Sequence, residues 1–216
     1  MKVFLLLASL FITSNALAQQ SPNPLIPSAP LNPLKPESTF NRHVGFFIRP
    51  DIGVGYASGN ESTPQGNLTI SGMAGTASIN IGGAVAENTI IGVHLFDAVL
   101  SNPTVTLNGQ TSSASNVSYT LFGIGPSFTY YFMPANIYVS GTAAITTLSA
   151  TVNGQSTNAQ TGWGFRTSLG KEWWVSEHWG LGVSGNLSYS ANADTGTNAP
   201  TIGSLLGAIS FSATFN

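Results

Sequence analysis

The sequence contains no cysteine, which excludes disulfide staples and a thiol-linked lipid anchor. Charge is almost as scarce. Only 6% of the 216 residues are Asp, Glu, Lys or Arg, against about 25% in ordinary soluble domains. The formal net charge is −2, so the chain lacks the electrostatic footprint of a nucleic-acid binder. No segment after the N-terminus reaches the roughly 18 consecutive apolar residues of a spanning helix. Yet 42% of residues are hydrophobic, too much apolar surface for a disordered chain. Gly, Ser, Thr and Asn stand where charge is missing.

The first residues follow the pattern of an export signal. Lys2 is the basic start, Val3 to Ile12 the apolar stretch, and Ala16-Leu17-Ala18 a small-x-small cleavage site before Gln19. Next come Pro22 and then Pro24, Pro27, Pro30, Pro33 and Pro36, one every third position. Polyproline II has three residues per turn, so these rings form one stripe along a semi-rigid arm. The expected division is a signal peptide over 1–18, a Pro-rich arm over 19–43 and a β-domain over 44–216. The arm reads as a spacer, with docking to a periplasmic partner as the sharper alternative.

From Val44 onward apolar residues recur at every second position, the period of a strand. Eight strands are predicted, near 44–56, 68–85, 89–100, 117–133, 137–152, 161–175, 178–190 and 203–215. Three short turns join them: Ala86-Glu87-Asn88, Met133-Pro134-Ala135-Asn136 and Ser176-Glu177-His178. Four long polar connections alternate with these, near 57–67, 101–116, 153–160 and 190–202. Long and short in strict alternation is the rhythm of an all-β, closed, eight-stranded antiparallel up-and-down barrel. Several strands exceed the 9–11 residues a tilted spanning strand needs, so their upper ends should project beyond a bilayer.

The faces indicate which way such a barrel is turned. In the seventh strand Trp179, Leu181, Val183, Leu187 and Tyr189 alternate with Gly180, Gly182, Ser184, Asn186 and Ser188. Leu205, Ile209, Phe211 and Phe215 alternate likewise with Ser210, Ser212 and Thr214. A water-soluble barrel needs a charged outer face, and these less apolar rows are too small and uncharged to be one. They suit the crowded interior of an eight-stranded barrel, which leaves the apolar rows facing lipid.

Aromatic residues gather beside the short turns and chain ends: Phe46, Phe47, Tyr130, Tyr131, Phe132, Tyr138, Trp173, Trp174, Trp179 and Phe215. They read as an interfacial girdle, with Tyr56, Tyr119, Trp163 and Tyr189 as a sparser second one near the long loops. Asn108-Gly109 and Asn153-Gly154, in similar surroundings, are the preferred pair for a type I′ hairpin turn.

Together these features resemble the small eight-stranded outer-membrane proteins of Gram-negative bacteria, the OmpA/OmpX and opacity-type β-barrel family. The most specific element is the last strand, Gly207-x-Ile209-x-Phe211-x-Ala213-x-Phe215, which looks like the signal read by the barrel assembly machinery. Here the aromatic is penultimate, followed by Asn216. The resemblance implies residence in the outer membrane among lipid and lipopolysaccharide, both chain ends and short turns in the periplasm, and long loops outside the cell.

Strand parity puts Arg49, Asp51, Arg166 and Glu172 on the inward rows, and His94 with them. An Arg at the bilayer midplane facing lipid would cost about 2–4 kcal/mol. The expectation is an interior network in which Arg49 and Arg166 engage Asp51 and Glu172, plugging the lumen. Six inward glycines (Gly53, Gly55, Gly82, Gly92, Gly123 and Gly125) are the best argument for voids and a narrow porin-like path. An enzyme is the less favoured alternative. Lipid A deacylases among small barrels carry His-x-Ser, but the histidines here read His43-Val44-Gly45, His94-Leu95-Phe96 and His178-Trp179-Gly180. Palmitoyl-transferring barrels use an Asp-Ser pair, and no Asp-Ser occurs. Isolated histidines and scattered acids form no metal motif, and no cofactor is expected. The long loops carry only Glu61 and Asp194 as charges, so an adhesive role through them would not rest on polyanions.

Overall fold

A strand whose alternate side chains differ in polarity buries one face only by pairing along both edges, and a membrane allows no open edge. The chain satisfies both demands by closing on itself. The computed structural model describes residues 42–63, 66–156, 160–193 and 201–216. The expected signal segment and all of the Pro-rich arm before Arg42 lie outside the described residues.

The elements are β1 (Phe46–Thr63), β2 (Gly66–Ala86), β3 (Thr89–Ser101), β4 (Thr104–Leu107), β5 (Gln110–Ser113), β6 (Val117–Phe132), β7 (Ile137–Val152), β8 (Gln155–Ser156), β9 (Gln160–Trp174), β10 (Trp179–Ala193) and β11 (Thr201–Phe215). The eight long strands pair antiparallel in the order β1-β2-β3-β6-β7-β9-β10-β11, and β11 returns to β1. The closing register runs from Ile48 opposite Phe215 to Asn60 opposite Gly203. This is the all-β, eight-stranded up-and-down barrel that the alternation predicts. The β6–β7 ladder skips Gly125 and Pro126, since proline has no N–H to give.

The long connections differ from expectation. Most of 57–67 is strand: Ala57 through Thr63 pair with Gly72 back to Gly66. Within 101–116, β4 and β5 form a hairpin, and β4 adds to the edge of β2. Beyond the apolar belt both faces meet water, so polar residues continue the ladder without the period-2 signature that would reveal it. Asn108-Gly109 and Asn153-Gly154 have positive φ at both positions, 51° and 81° in one and 51° and 79° in the other. Those are the angles of a type I′ turn. They connect β4 to β5 and β7 to β8.

Side chains sort by parity. Ile52, Val54, Phe122, Phe128, Leu169, Leu181, Ile209 and Phe211 are exposed on the outer wall, while Ser184, Ser188, Ser210, Ser212 and Thr214 are buried within. Inside, two apolar groups are separated along the barrel. Phe47, Ile90, Tyr131 and Tyr138 sit at the short-turn end. Ile70, Ala74, Ala98, Leu100, Leu121, Leu148, Leu206 and Ala208 sit toward the long connections.

The outer girdle is thinner than the sequence suggests. Phe46, Tyr130, Phe132, Trp173 and Trp179 are exposed, but Phe47, Tyr131 and Tyr138 are buried in the lumen, and the Trp174 ring lies 4.9 Å from that of the buried His43. Neighbouring strand residues point to opposite faces. The doublets Phe46-Phe47, Tyr130-Tyr131 and Trp173-Trp174 can therefore each place only one ring on the outer belt. Tyr119 also points inward and packs against the upper apolar group. The second girdle is then Tyr56, Trp163 and Tyr189, the last two with ring centroids 5.7 Å apart.

Candidate functional site in the barrel lumen

Arg49 and Asp51 come from β1, His94 from β3, and Arg166 and Glu172 from β9. All five are buried in the lumen. They divide into two groups along the axis.

The group nearer the short turns centres on Glu172. Its Oε1 accepts from Tyr131 Oη at 3.0 Å and from Thr214 Oγ1 at 2.7 Å. Arg49 Nη1 lies 3.9 Å from the same oxygen and donates instead to the Tyr131 hydroxyl at 3.3 Å. The Arg49 guanidinium also stands 4.1 Å from the centre of the Tyr138 ring, a cation–π contact that partly replaces lost hydration. Below it, the buried imidazole of His43 stacks on Tyr131, with centroids 3.5 Å apart and planes at 15°. Its ring nitrogens lie 2.8 Å from Asn136 Oδ1 and 2.6 Å from Asn216 Oδ1. The packed barrel thus reaches back to His43, which sequence patterning left in the Pro-rich arm.

The second group centres on Asp51. Arg166 Nη2 is 3.7 Å from Asp51 Oδ1, while Asp51 Oδ2 accepts from Ser78 Oγ. His94 Nε2 is 2.9 Å from Ser78 Oγ, and its Nδ1 is 2.9 Å from Thr142 Oγ1. A serine, a histidine and an aspartate therefore meet, and their proton order matters. A carboxylate only accepts, so the single Ser78 proton goes to Asp51. His94 must then donate from Nε2 to Ser78 and accept at Nδ1 from Thr142. In a hydrolytic triad the histidine takes the serine proton and the acid orients the histidine. Here the serine stands between the other two, which holds the ring but does not activate the hydroxyl. Of the other histidines, His43 meets the side chains of Asn136 and Asn216, and His178 Nδ1 is 3.1 Å from the Asn216 main-chain oxygen. Among the described residues no cluster of His, Cys, Asp or Glu could hold a metal ion.

The inward glycines do not leave voids. A Cβ on Gly53 would strike the β11 backbone at Ile209 and the Ser210 hydroxyl, and one on Gly55 would strike Gly207 and Ala208. Gly82 and Gly92 lie against each other, Gly123 lies under the Phe96 ring, and Gly125 touches the Ala143 carbonyl. The missing side chains let strands and rings approach closely. That removes the sequence argument for a water-filled path.

No protein-family model and no curated protein matches the chain. Among solved structures it matches OprG from Pseudomonas aeruginosa at 13% identity, over 83% of this chain and 100% of that one, with a TM-score of 0.51. Neisserial surface protein A, NspA, matches at 16% identity over 79% and 96%, with a TM-score of 0.45. The outer membrane protease OmpT from Escherichia coli matches at 10% identity over 80% and 98%, with a TM-score of 0.39. At such identities the likeness concerns architecture alone. An apolar outer wall, a polar charge-bearing lumen and a closed ring of eight antiparallel strands make this chain's fold that of the small outer-membrane β-barrels.

Proposed function

We propose that the protein resides in the bacterial outer membrane as a structural or surface barrel whose lumen is closed near the short-turn end, and that it is not an enzyme. The observation that carries closure is the layer formed by Phe47, Arg49, Tyr131, Tyr138 and Glu172, all buried, with His43 stacked beneath. Eight strands enclose an interior that side chains can fill, and here rings and a paired charge occupy it.

The exposed apolar belt supports a lipid setting, because in water so continuous an apolar surface would aggregate. The proposed orientation places the short turns and both ends of the barrel chain in the periplasm and the β1–β2 and β4–β5 extensions outside. The proton order around Ser78 favours a non-catalytic lumen.

Planar-bilayer recording tests closure. Wild-type protein should show no steady conductance, and the double substitution Tyr131→Ala/Tyr138→Ala should open one. A persistent wild-type channel would overturn the reading. Mass spectrometry of lipid A with and without expression should give identical spectra; a changed acyl pattern would make the barrel an enzyme.

A further inference from the structure

One acidic side chain stands on the wrong side of the wall. Asp97 shares strand parity with Val93 and Val99 of β3, both exposed on the outer face, whereas Phe96 and Ala98 on either side of it are buried. Asp51 and Glu172, by contrast, turn inward. Across the ladders Asp97 stands between Ala77 of β2 and Phe122 of β6. It lies eight residues into β3 from the short-turn end, against ten for Tyr56 in β1 and Tyr189 in β10. That depth is just below the upper aromatic girdle, among lipid-facing apolar residues.

The carboxyl group is poorly served there. The main-chain N–H of Ala98 stands within its reach, but Oδ1 is shielded and has no hydrogen-bond partner in the protein. Hydrocarbon cannot supply one, and an ionisable group facing it is costly enough to mark a functional contact. Beside Asp97 the wall is low. Ala77 is directly opposite, and Gly75, next on the same face, has open space where a Cβ would stand. In membranes small residues let another chain approach closely, and a polar side chain then holds it.

Depth argues for what approaches. A foreign protein would have to offer a hydrogen-bonding group at this same height in the bilayer. A second copy does so by symmetry, because a two-fold axis along the membrane normal brings identical residues together at identical depth. A carboxyl group that holds its proton is donor and acceptor at once, so two of them satisfy each other.

We propose that two copies of this chain pair in the membrane through the β2–β3 wall, with their Asp97 carboxyl groups hydrogen-bonded to each other and Gly75 and Ala77 at the close contact. The pairing rests on the lipid setting of the wall and not on closure of the lumen.

The test uses the full chain in liposomes, where the lack of native cysteine permits single labels. Donor and acceptor dyes on Leu107→Cys, at the β4–β5 hairpin tip, report pairing by energy transfer as lipid is added. Transfer should fall along a monomer–dimer curve. Asp97→Leu should weaken pairing about three- to thirtyfold, the worth of hydrogen bonds between membrane-buried side chains. Asp97→Asn, neutral yet still both donor and acceptor, should stay within about threefold of the native value. A short bismaleimide should join copies through Ala77→Cys but not through Leu187→Cys, which lies at the same depth on β10 across the ring. Integrated protein showing only the transfer of random proximity would overturn the pairing and leave the lipid setting intact; protein that does not integrate would overturn the setting itself. Native pairing in Asp97→Leu would also overturn the proposal. So would loss of pairing on adding a chelator, which would give the carboxylates to a bridging divalent cation.

Discussion

Arg166 shows what a charge costs when it is buried in an ion pair without a hydrogen bond to its partner. Only 1% exposed, it has no hydrogen bond to any protein acceptor and faces Asp51 across 3.7 Å. Removing one member of a buried pair leaves the other uncompensated, at a cost of about 3–5 kcal/mol. Arg166→Ala should therefore lower the temperature of the heat-dependent gel shift by that equivalent. The double substitution Asp51→Leu/Arg166→Met should recover much of the loss, because neither charge is then stranded. Tyr131 relays between Arg49 and Glu172, and Tyr131→Phe leaves both with one fewer partner, a loss of about 1–3 kcal/mol readable in the same assay. Strand parity is enough to turn Arg49, Asp51, His94, Arg166 and Glu172 inward. Which of them meet depends on the stagger of strands around the ring, which no local pattern carries. The inward rings of Phe47 and Tyr131 were readable in principle, since an aromatic doublet in a strand must send one member to each face.

Among the elements, glycines separate close packing from open wall. Gly82 and Gly92 stand opposite one another in the β2–β3 ladder, and a Cβ on Gly82 would strike the Ile91 carbonyl and the Gly92 Cα. On the outer wall, Gly207 has open space where a Cβ would stand. Gly82→Ala should reduce the fraction of protein that migrates as the compact, heat-sensitive band, and Gly207→Ala should leave that fraction unchanged. Equal behaviour of the two would show that strand approach does not limit assembly. Composition alone does not distinguish them, because what a glycine touches follows from the register of its neighbours. Strand limits were legible wherever lipid faced one side, as in β10 and β11, and illegible above the belt, where Ser, Thr and Asn line both faces of the β1–β2 extension. The two Asn-Gly turns were legible because a type I′ turn demands that pair's positive φ.

For the whole molecule, the inside-out arrangement sets where a new charge is tolerated. Ile209 lies midway along β11 and is 71% exposed; Ile209→Arg should cost about 2–4 kcal/mol in folding into vesicles. Leu107, at the tip of the β4–β5 hairpin, should accept Arg without measurable loss. A stable Ile209→Arg barrel would place this wall in water. The sequence disclosed the closed barrel and its orientation of faces, but not the division of the lumen into a polar layer and an apolar group toward the long connections. That division depends on inward leucines such as Leu206 whose neighbours are equally apolar, so alternation is silent there. The seam between β1 and β11 has a temporal consequence. Its two halves stand at opposite ends of the folding chain, and Gly53 and Gly55 fit against β11 without spare room. Until β11 arrives, every intermediate carries two raw edges that the bilayer interior cannot solvate. A chain interrupted within β11 therefore gains no partial credit, and insertion should behave as a single late event, slow because its decisive contacts are the most distant in sequence.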